Sequence, residues 1–307
     1  MNESFHKALL GKDPFTEILG LSATKEQLKS ALLMNRHVLI VGPPGIGKTT
    51  LAKNVAKILG AAEEKFVRVQ GSPDLTVEDL LGDIDPIKAL KFGPTSIEAF
   101  TPGKIFRADG GVLFFDELNR CPEKVQNVLL QVLEEGKATI GNYLVDFPAK
   151  FVFIGTMNPE ETAATEKLSD VLMDRFDIVH MTYPDTAEIE KQIVLAKGEK
   201  RNVMFPDNLL LLAIQFVREL RENRDLQKKP SVRASIGLYE RAQANALLRK
   251  AKSVSAEDIA NAVISVISHR IELKPSVKYL QTAEDFLARE YARFVQEHKE
   301  LGCGDCL

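Results

Sequence analysis

The sequence predicts an α/β protein: a doubly wound, parallel five-stranded sheet, followed by a smaller all-α domain. Short apolar runs alternate with helical patterns over residues 1–184, which is typical of parallel strands joined by helices. One of these runs leads through a glycine-rich loop directly into a helix. Beyond Tyr183-Pro184-Asp185 the apolar spacing is helical only. We therefore expect two domains, residues 1–184 and 185–307.

The glycine-rich loop carries the most specific chemical pattern in the chain. The apolar run 38–41 is a predicted buried strand, and residues 42–49 fit G-x-x-x-x-G-K-[ST] at every fixed position. Glycines let such a loop wrap round phosphates, and the helix that follows directs its partially positive N-terminus at them. The predicted nucleotide-binding residues are Gly42, Pro43, Pro44, Gly45, Ile46, Gly47, Lys48, Thr49 and Thr50.

Two side chains of this loop have distinct predicted roles. Lys48 supplies a positive charge for the β- and γ-phosphates, and Thr49 supplies a hydroxyl to Mg²⁺. The alternative is a simple Gly-Pro turn between a strand and a helix. The complete order of strand, loop and helix favours the phosphate-binding interpretation.

The α/β alternation is interrupted after the second strand. Residues 66–70 alternate as a strand, and a short helix is predicted over 76–81. Residues 82–102 then contain glycine and proline with two strand-like pieces, at 87–92 and 97–101. We interpret 82–102 as an inserted hairpin.

Two adjacent carboxylates, Asp116 and Glu117, follow the apolar run 112–115. The C-terminal ends of parallel strands are where ligands bind in open α/β sheets. Asp116 is suited to holding Mg²⁺, and Glu117 to polarising a water against the γ-phosphate. Acidic pairs after apolar strands are common, but their position behind a phosphate-binding loop favours the functional interpretation.

The remaining core elements and the helical domain follow from periodicity. In the core we predict a helix over 122–135, a hairpin over 138–147, strands over 151–156 and 176–181, and a short helix over 168–174. In the second domain we predict helices over 186–197, 206–223, 231–251, 256–270 and 283–298. A capping box is predicted between Ser255 and Asp258.

Composition and charge narrow the classes of function. The formal net charge of −3 gives no sign of a nucleic-acid binder held by bulk electrostatics. The apolar runs are far too short to span a membrane, and residues 1–20 lack a signal-peptide core, so we expect a cytoplasmic protein. Cys303 and Cys306 form a CxxC near the last residue, but no second ligand pair accompanies them; a frayed tail is the favoured interpretation.

Five segments carry a family likeness: VGPPGIGKTTLA (41–52), FTPGKIF (100–106), FFDELNRCP (114–122), IGTMNPEE (154–161) and LMDRFD (172–177). With these segments the sequence resembles the AAA+ ATPases, and more narrowly the MoxR-type ATPases and the ATPase subunit of magnesium chelatase. The likeness covers roughly residues 15–272, and residues 82–93 look closer to the chelatase subunit. The sequence DELNR (116–120) and the segment PGKIF (102–106) favour the MoxR-type assignment over the chelatase assignment.

The resemblance implies roles for matching positions. Lys48 and Thr49 resemble the Walker A pair, and Asp116 and Glu117 resemble the Walker B pair. Residues 82–102 become the helix-2 insert and 138–147 the pre-sensor hairpin of such proteins.

Three further residues resemble catalytic positions of the family. Asn158 resembles sensor 1, which orients the attacking water; Arg175 resembles an arginine finger offered to a neighbouring subunit; Arg233 resembles the sensor 2 arginine of the helical lid. The alternatives are a turn-forming asparagine before proline, a surface salt-bridge arginine and a lid-capping arginine. Arg120 is either a residue that reaches an interface nucleotide or a locally paired arginine.

The resemblance implies an ATP-hydrolysing, Mg²⁺-dependent ring, expected to be a homo-hexamer, that remodels or activates partner proteins. It also implies a partner with a von Willebrand factor A domain. One alternative is the motor subunit of a magnesium-chelatase-like complex. Another is a nucleic-acid motor of the minichromosome maintenance type. The hairpin tip Ile140-Gly141-Asn142 offers no basic residue to grip phosphates, which argues against nucleic acid.

Overall fold

The computed structural model describes residues 3–93, 96–139, 146–159 and 168–298. The chain divides into two compact units, residues 1–182 and 183–307. The strands of the first unit are β1 (His37–Val41), β2 (Phe66–Gln70), β3 (Gly82–Ile84), β4 (Phe100–Pro102), β5 (Val112–Asp116), β6 (Lys137–Thr139), β7 (Asp146–Pro148), β8 (Val152–Met157) and β9 (Phe176–His180). Its α-helices are α1 (Glu3–Leu9), α2 (Ser22–Leu33), α3 (Lys48–Leu59), α4 (Val77–Leu81), α5 (Pro86–Phe92), α6 (Lys104–Arg107), α7 (Glu123–Glu135) and α8 (Asp170–Met173).

A parallel sheet of five strands forms the centre of the first unit. Its strand order is β2-β5-β8-β1-β9, and every neighbouring pair is parallel. Each of these strands is joined to the next by a segment containing helix, as parallel pairing requires. The predicted doubly wound five-stranded sheet is confirmed.

Both faces of the sheet are covered, and β5 shows how. Val112 and Phe114 pack on one face with apolar side chains of α1, α2 and α3. Leu113 and Phe115 pack on the other face with side chains of α4, α6, α7 and α8. A strand buried on both faces reads as a continuous apolar run, because successive side chains point to opposite sides and both sides must be apolar. This is why the central strands were readable from sequence as runs rather than as alternations.

The insert differs from its prediction. The expected strand over 87–92 is wrong: those residues belong to helix α5. Asp85 caps this helix by accepting from the backbone nitrogens of Ile87 and Lys88 at 2.9 and 3.2 Å, and Pro86 occupies its first position. These are strong helix-start signals, since the cap accepts orphan N–H groups and proline has none to leave unpaired. The second predicted piece, 97–101, is a strand only from Phe100 onward, because Ile97–Ala99 form a 3-10 helix. β3 and β4, on either side of α5, pair antiparallel.

A second two-stranded element follows α7. β6 and β7 pair antiparallel, from Lys137 opposite Pro148 to Thr139 opposite Asp146. The predicted tip, Ile140-Gly141-Asn142, lies outside the described residues. The two described strands lie at the ends of the predicted hairpin segment.

The second unit is helical, as the sequence predicts. Its α-helices are α9 (Ala187–Lys197), α10 (Asp207–Glu222), α11 (Val232–Leu248), α12 (Ala256–Ile267), α13 (Pro275–Lys278) and α14 (Ala283–Glu297). The predicted capping box of Ser255 and Asp258 is present. One small difference is an antiparallel pair, β10 (Leu226–Lys228) with β11 (Glu272–Leu273), whose strands are too short for any periodicity to predict. None of the helices described in either unit is both long enough and apolar enough to cross a bilayer.

A buried ion pair connects several segments of the second unit. Glu190 on α9 is fully buried and accepts from both terminal nitrogens of Arg221 on α10, each at 2.7 Å. Arg221 also donates to the carbonyl oxygen of Pro230 at 2.9 Å and stacks 4.5 Å from the ring centroid of Tyr183. The hydroxyl of Ser235 on α11 donates to Glu190 at 2.5 Å. The pair therefore ties the first residue of this unit to α9, α10 and the start of α11.

We expect Glu190→Ala to lower the free energy of unfolding of this unit by about 3–5 kcal/mol, because it leaves the Arg221 charge buried and unpaired. The matched control is Glu199→Ala, which removes an exposed partner of Arg201 at 2.8 Å and should cost at most about 1 kcal/mol. Urea-induced unfolding followed by circular dichroism measures both. Equal losses in the two variants would contradict a structural role for the buried pair.

Candidate nucleotide-binding site

The phosphate-binding loop leaves the C-terminal end of β1, near the middle of the sheet. Gly45 and Gly47 have φ values of 74° and 104°, in the left-handed region that glycine adopts without strain. At Gly42 the constraint is space, since a Cβ there would lie 2.2 Å from the carbonyl oxygen of Met181. Lys48 begins α3, and its Nζ donates to the carbonyl oxygens of Gly42 and Pro43. The loop thus curls round the lysine ammonium at the N-terminus of a twelve-residue helix.

The acidic pair lies at the same edge of the sheet, at the end of β5. Asp116 Oδ1 accepts from the hydroxyl of Thr156 on β8 at 2.7 Å. The same hydroxyl oxygen accepts from the backbone nitrogen of Glu117 at 2.9 Å. Thr156 therefore fixes both acidic residues against the neighbouring strand.

Glu117 has an unusual backbone conformation. Its φ is 56° and its ψ is 51°, a left-handed conformation that is uncommon for residues other than glycine. Gly71 packs directly beneath it, because a Cβ at Gly71 would lie 2.1 Å from the carbonyl oxygen of Glu117. Gly71 also donates its backbone nitrogen to the Asp116 carbonyl at 2.7 Å. Backbone strain of this kind, held by surrounding contacts, clusters at functional sites.

Two side chains of the edge strand β2 contact the acidic pair, and the sequence analysis missed both. Arg68 Nη2 donates to Asp116 Oδ2 at 2.6 Å, and Gln70 Nε2 donates to Glu117 Oε2 at 2.9 Å. The available signal was the alternation of β2, in which positions 68 and 70 are the exposed ones. Only the pairing of β2 with β5, Gln70 opposite Asp116, shows what these positions face.

Arg120 is also a partner of the acidic pair. Its Nη1 donates to Glu117 Oε2 at 2.9 Å, the same oxygen that accepts from Gln70. Of the two interpretations left open for Arg120, the structure shows local pairing within the chain. Glu117 is thus oriented by one amide and one guanidinium.

Asn158 follows β8 at the same sheet edge and is buried, with 7% of its surface exposed. β8 pairs with β5 on one side and with β1 on the other. The end of β8 therefore lies between the loop and the acidic pair. A polar side chain is placed there by strand order, not by sequence proximity.

Arg175 lies at the opposite end of the strands, where β1 and β9 begin. It precedes Phe176, which pairs with His37 at the start of β1, whereas the loop follows Val41 at the other end. Six residue steps of about 3.3 Å separate the two levels, which amounts to about 20 Å. Its guanidinium contacts Glu134 at 3.2 Å and Asp174 at 3.6 Å. The structure therefore does not bring Arg175 together with the loop of its own chain.

Arg233 belongs to the second unit. It lies in the first turn of α11, where Ser231 caps the helix by accepting from the backbone nitrogen of Arg233 at 3.3 Å. The side chain of Arg233 is exposed.

The oxygen atoms that could serve as metal ligands beside the phosphate-binding loop fit Mg²⁺. A hydroxyl at Thr49 and a carboxylate at Asp116 are the hard oxygen ligands that Mg²⁺ takes alongside phosphate oxygens. Asp116 already accepts a hydrogen bond from a cationic guanidinium, so its side-chain oxygens are placed to contact a positive charge. The loop and the N-terminus of α3 fit a polyphosphate for the electrostatic reason given above.

Comparison with known proteins finds matches to AAA-type domains in both units. The sequence profile of the AAA domain (dynein-related subfamily) matches residues 37–176, and that of the AAA lid domain matches residues 218–289. The chain is 30% identical to the uncharacterized protein YeaC of Bacillus subtilis, over 85% of each chain. It is 27% identical to the chaperone MoxR1 of Mycobacterium tuberculosis, over 83% of this chain and 73% of that one. It is also 27% identical to the magnesium-chelatase 38 kDa subunit of Chlorobaculum parvum, over 70% of each.

Proposed function

The chain belongs to the AAA+ ATPases, in the group of MoxR-type ATPases and magnesium-chelatase ATPase subunits, and from this premise we propose that it works as an oligomeric ring that uses ATP hydrolysis to remodel or activate partner proteins. One observation supports the ring above all. The loop and the acidic pair lie at one edge of the sheet and Arg175 lies at the other, so a complete site requires a second copy of the chain. A hexamer is the ring size we propose.

Each residue at the site has a role in the proposed hydrolysis. Lys48 neutralises charge on the β- and γ-phosphates, while Thr49 and Asp116 would hold Mg²⁺, which would supply further positive charge to the phosphates. Glu117 accepts a proton from the attacking water as general base, and Asn158 orients that water.

Two arginines complete the proposed site. Arg175 of a neighbouring subunit stabilises charge developing on the γ-phosphoryl oxygens. Arg233 in the helical unit acts as the sensor 2 arginine. Its proposed role follows from the family resemblance and its exposed place on α11.

Assembly is the first test. We expect a non-hydrolysable ATP analogue with Mg²⁺ to raise the mass measured by light scattering from that of the monomer to that of a ring. Lys48→Ala is the matched control, because it should weaken nucleotide binding and leave the mass unchanged. A protein that stays monomeric at every concentration and hydrolyses ATP at full rate would rule out the shared site.

Partner identity is the second test. A partner with a von Willebrand factor A domain is proposed from the MoxR likeness. In a pull-down, the immobilised Glu117→Gln variant should retain such a partner in the presence of ATP and release it in buffer without nucleotide. Lys48→Ala should retain none in either.

A chelatase-type motor is the second candidate function. Its support is that the magnesium-chelatase 38 kDa subunit is as similar in sequence to this chain as the chaperone MoxR1 is, at 27% identity each. ATP-dependent metal chelation on adding chelatase partner subunits would favour it over the MoxR-type function. Nucleic acid is not proposed as a partner. A DNA-binding assay with varied salt checks that exclusion, because phosphate contacts weaken steeply with salt.

A further inference from the structure

The guanidinium of Arg68 occupies an oxygen of the carboxylate that is proposed to hold Mg²⁺. Arg68 Nη2 lies 2.6 Å from Asp116 Oδ2, which is the short distance of a charge-assisted hydrogen bond. The other oxygen, Oδ1, accepts from Thr156 at 2.7 Å. Both oxygens of Asp116 are therefore engaged by donors of this chain. The Asp116 side chain is 15% exposed, whereas that of Arg68 is 52% exposed, so the arginine is the member of the pair that can move away into solvent.

Arg68 also orients a second side chain. The same Nη2 lies 3.3 Å from Oε1 of Gln70. Because a guanidinium only donates, it selects the oxygen of the Gln70 amide and turns the amide nitrogen toward Glu117. One nitrogen of Arg68 thus contacts Asp116 directly and also contacts Gln70, which is a partner of Glu117.

We propose that Arg68 competes with Mg²⁺ for Asp116 and thereby sets the Mg²⁺ concentration at which nucleotide binds. The proposal rests on the assignment of Asp116 as a metal ligand made above. Two cations repel each other when both contact one carboxylate oxygen. A divalent ion must therefore displace the guanidinium, or it binds more weakly because of the repulsion. Arg68 lies on the edge strand β2, where the side chain has room to swing outward.

The test is a Mg²⁺ titration of equilibrium binding of a fluorescent ADP analogue, read by anisotropy. Arg68→Met should lower the Mg²⁺ concentration at half-maximal binding by about twofold to fivefold, the range expected for a half-exposed ion pair. Arg68→Gln should move the midpoint in the same direction, and Arg68→Lys should return it toward the parent value. Binding in excess EDTA should be the same in parent and variants.

Arg36→Met is the matched control. Arg36 is an exposed arginine of the same unit, 3.3 Å from Asp177, and it lies at the other edge of the sheet. The Arg36→Met substitution changes the net charge by the same amount as Arg68→Met and should leave the Mg²⁺ midpoint at the parent value.

Three results would overturn the inference. An unchanged or raised midpoint in both neutral variants would show that Arg68 does not compete with the metal. Weaker binding in EDTA as well as in Mg²⁺ would show that Arg68 contacts the nucleotide instead. A parent protein whose ADP binding ignores Mg²⁺ would remove the Asp116 assignment, and the inference with it; a Mg²⁺-dependent parent with an unresponsive Arg68→Met would leave that assignment intact.

Discussion

Glu117→Gln is expected to bind ATP and to lose almost all turnover, by at least about 100-fold, because general base catalysis contributes about 10²–10⁴. The amide is isosteric with the carboxylate but cannot take a proton from the attacking water. Asp116 and Lys48 are unchanged, so ATP should still bind. Steady-state phosphate release measures turnover, and binding of labelled ATP measures occupancy.

The backbone conformation of Glu117 should survive this substitution, because it does not depend on the side-chain carboxylate. Its backbone conformation is held by Thr156 and Gly71, neither of which contacts the side-chain carboxylate in the interactions described above. Glu123→Gln is the matched control: Glu123 is an exposed acid at the start of α7, six positions along the chain. Parent-rate hydrolysis by Glu117→Gln would show that another group activates the water.

Arg175→Ala is expected to bind ATP nearly normally and to hydrolyse it about 10³–10⁵-fold more slowly, the range for arginine fingers. The reason is its position about 20 Å along the sheet from the loop of its own chain, which leaves a neighbouring subunit as its target. The ion pairs it would lose, to Glu134 and Asp174, are partly exposed and worth at most about 1 kcal/mol, so the fold should persist.

Glu134→Ala is the matched control for that variant. It breaks the 3.2 Å contact to Arg175 but leaves the guanidinium in place, so hydrolysis should persist. If Glu134→Ala were as inactive as Arg175→Ala, the loss would come from the broken ion pair and not from a missing finger.

Mixing two inactive variants separates action between subunits from action within one. Lys48→Ala lacks a working loop but keeps Arg175, and Arg175→Ala keeps a working loop. Some interfaces in a mixed ring pair the good loop with the good arginine, so partial ATPase activity should return. With subunit exchange verified by labelled chains, absence of recovery would mean that Arg175 acts within its own chain or that the ring works only when every site is intact.

Local sequence was sufficient for the parts of the site that depend on neighbours along the chain. The loop 42–49 needs its glycines, lysine and threonine at fixed spacing, because one backbone turn must contact the phosphates. Asp116 and Glu117 follow directly from a strand, so their place at a sheet edge is set by the strand's end. The helical pattern beyond residue 185 and the Ser255 cap were readable for the same reason.

Helix α5 shows where local reading failed although the signal was local. Residues 87–92 look strand-like as a short apolar segment, but Asp85 and Pro86 specify a helix start. Periodicity over six residues cannot separate the two, and the cap decides.

By itself, then, the sequence determined the loop 42–49, the acidic pair, and the order of the five sheet strands and of the long helices. Only the tertiary structure decided that Arg68 and Gln70 face that pair, and that Arg175 lies at the far edge of the sheet. Both depend on which strands pair and in what register, β2 with β5 and β1 with β9. Strand pairing joins residues that are 46 positions apart for β2 with β5 and 139 positions apart for β1 with β9, so it is fixed by burial of the whole sheet and has no local signature.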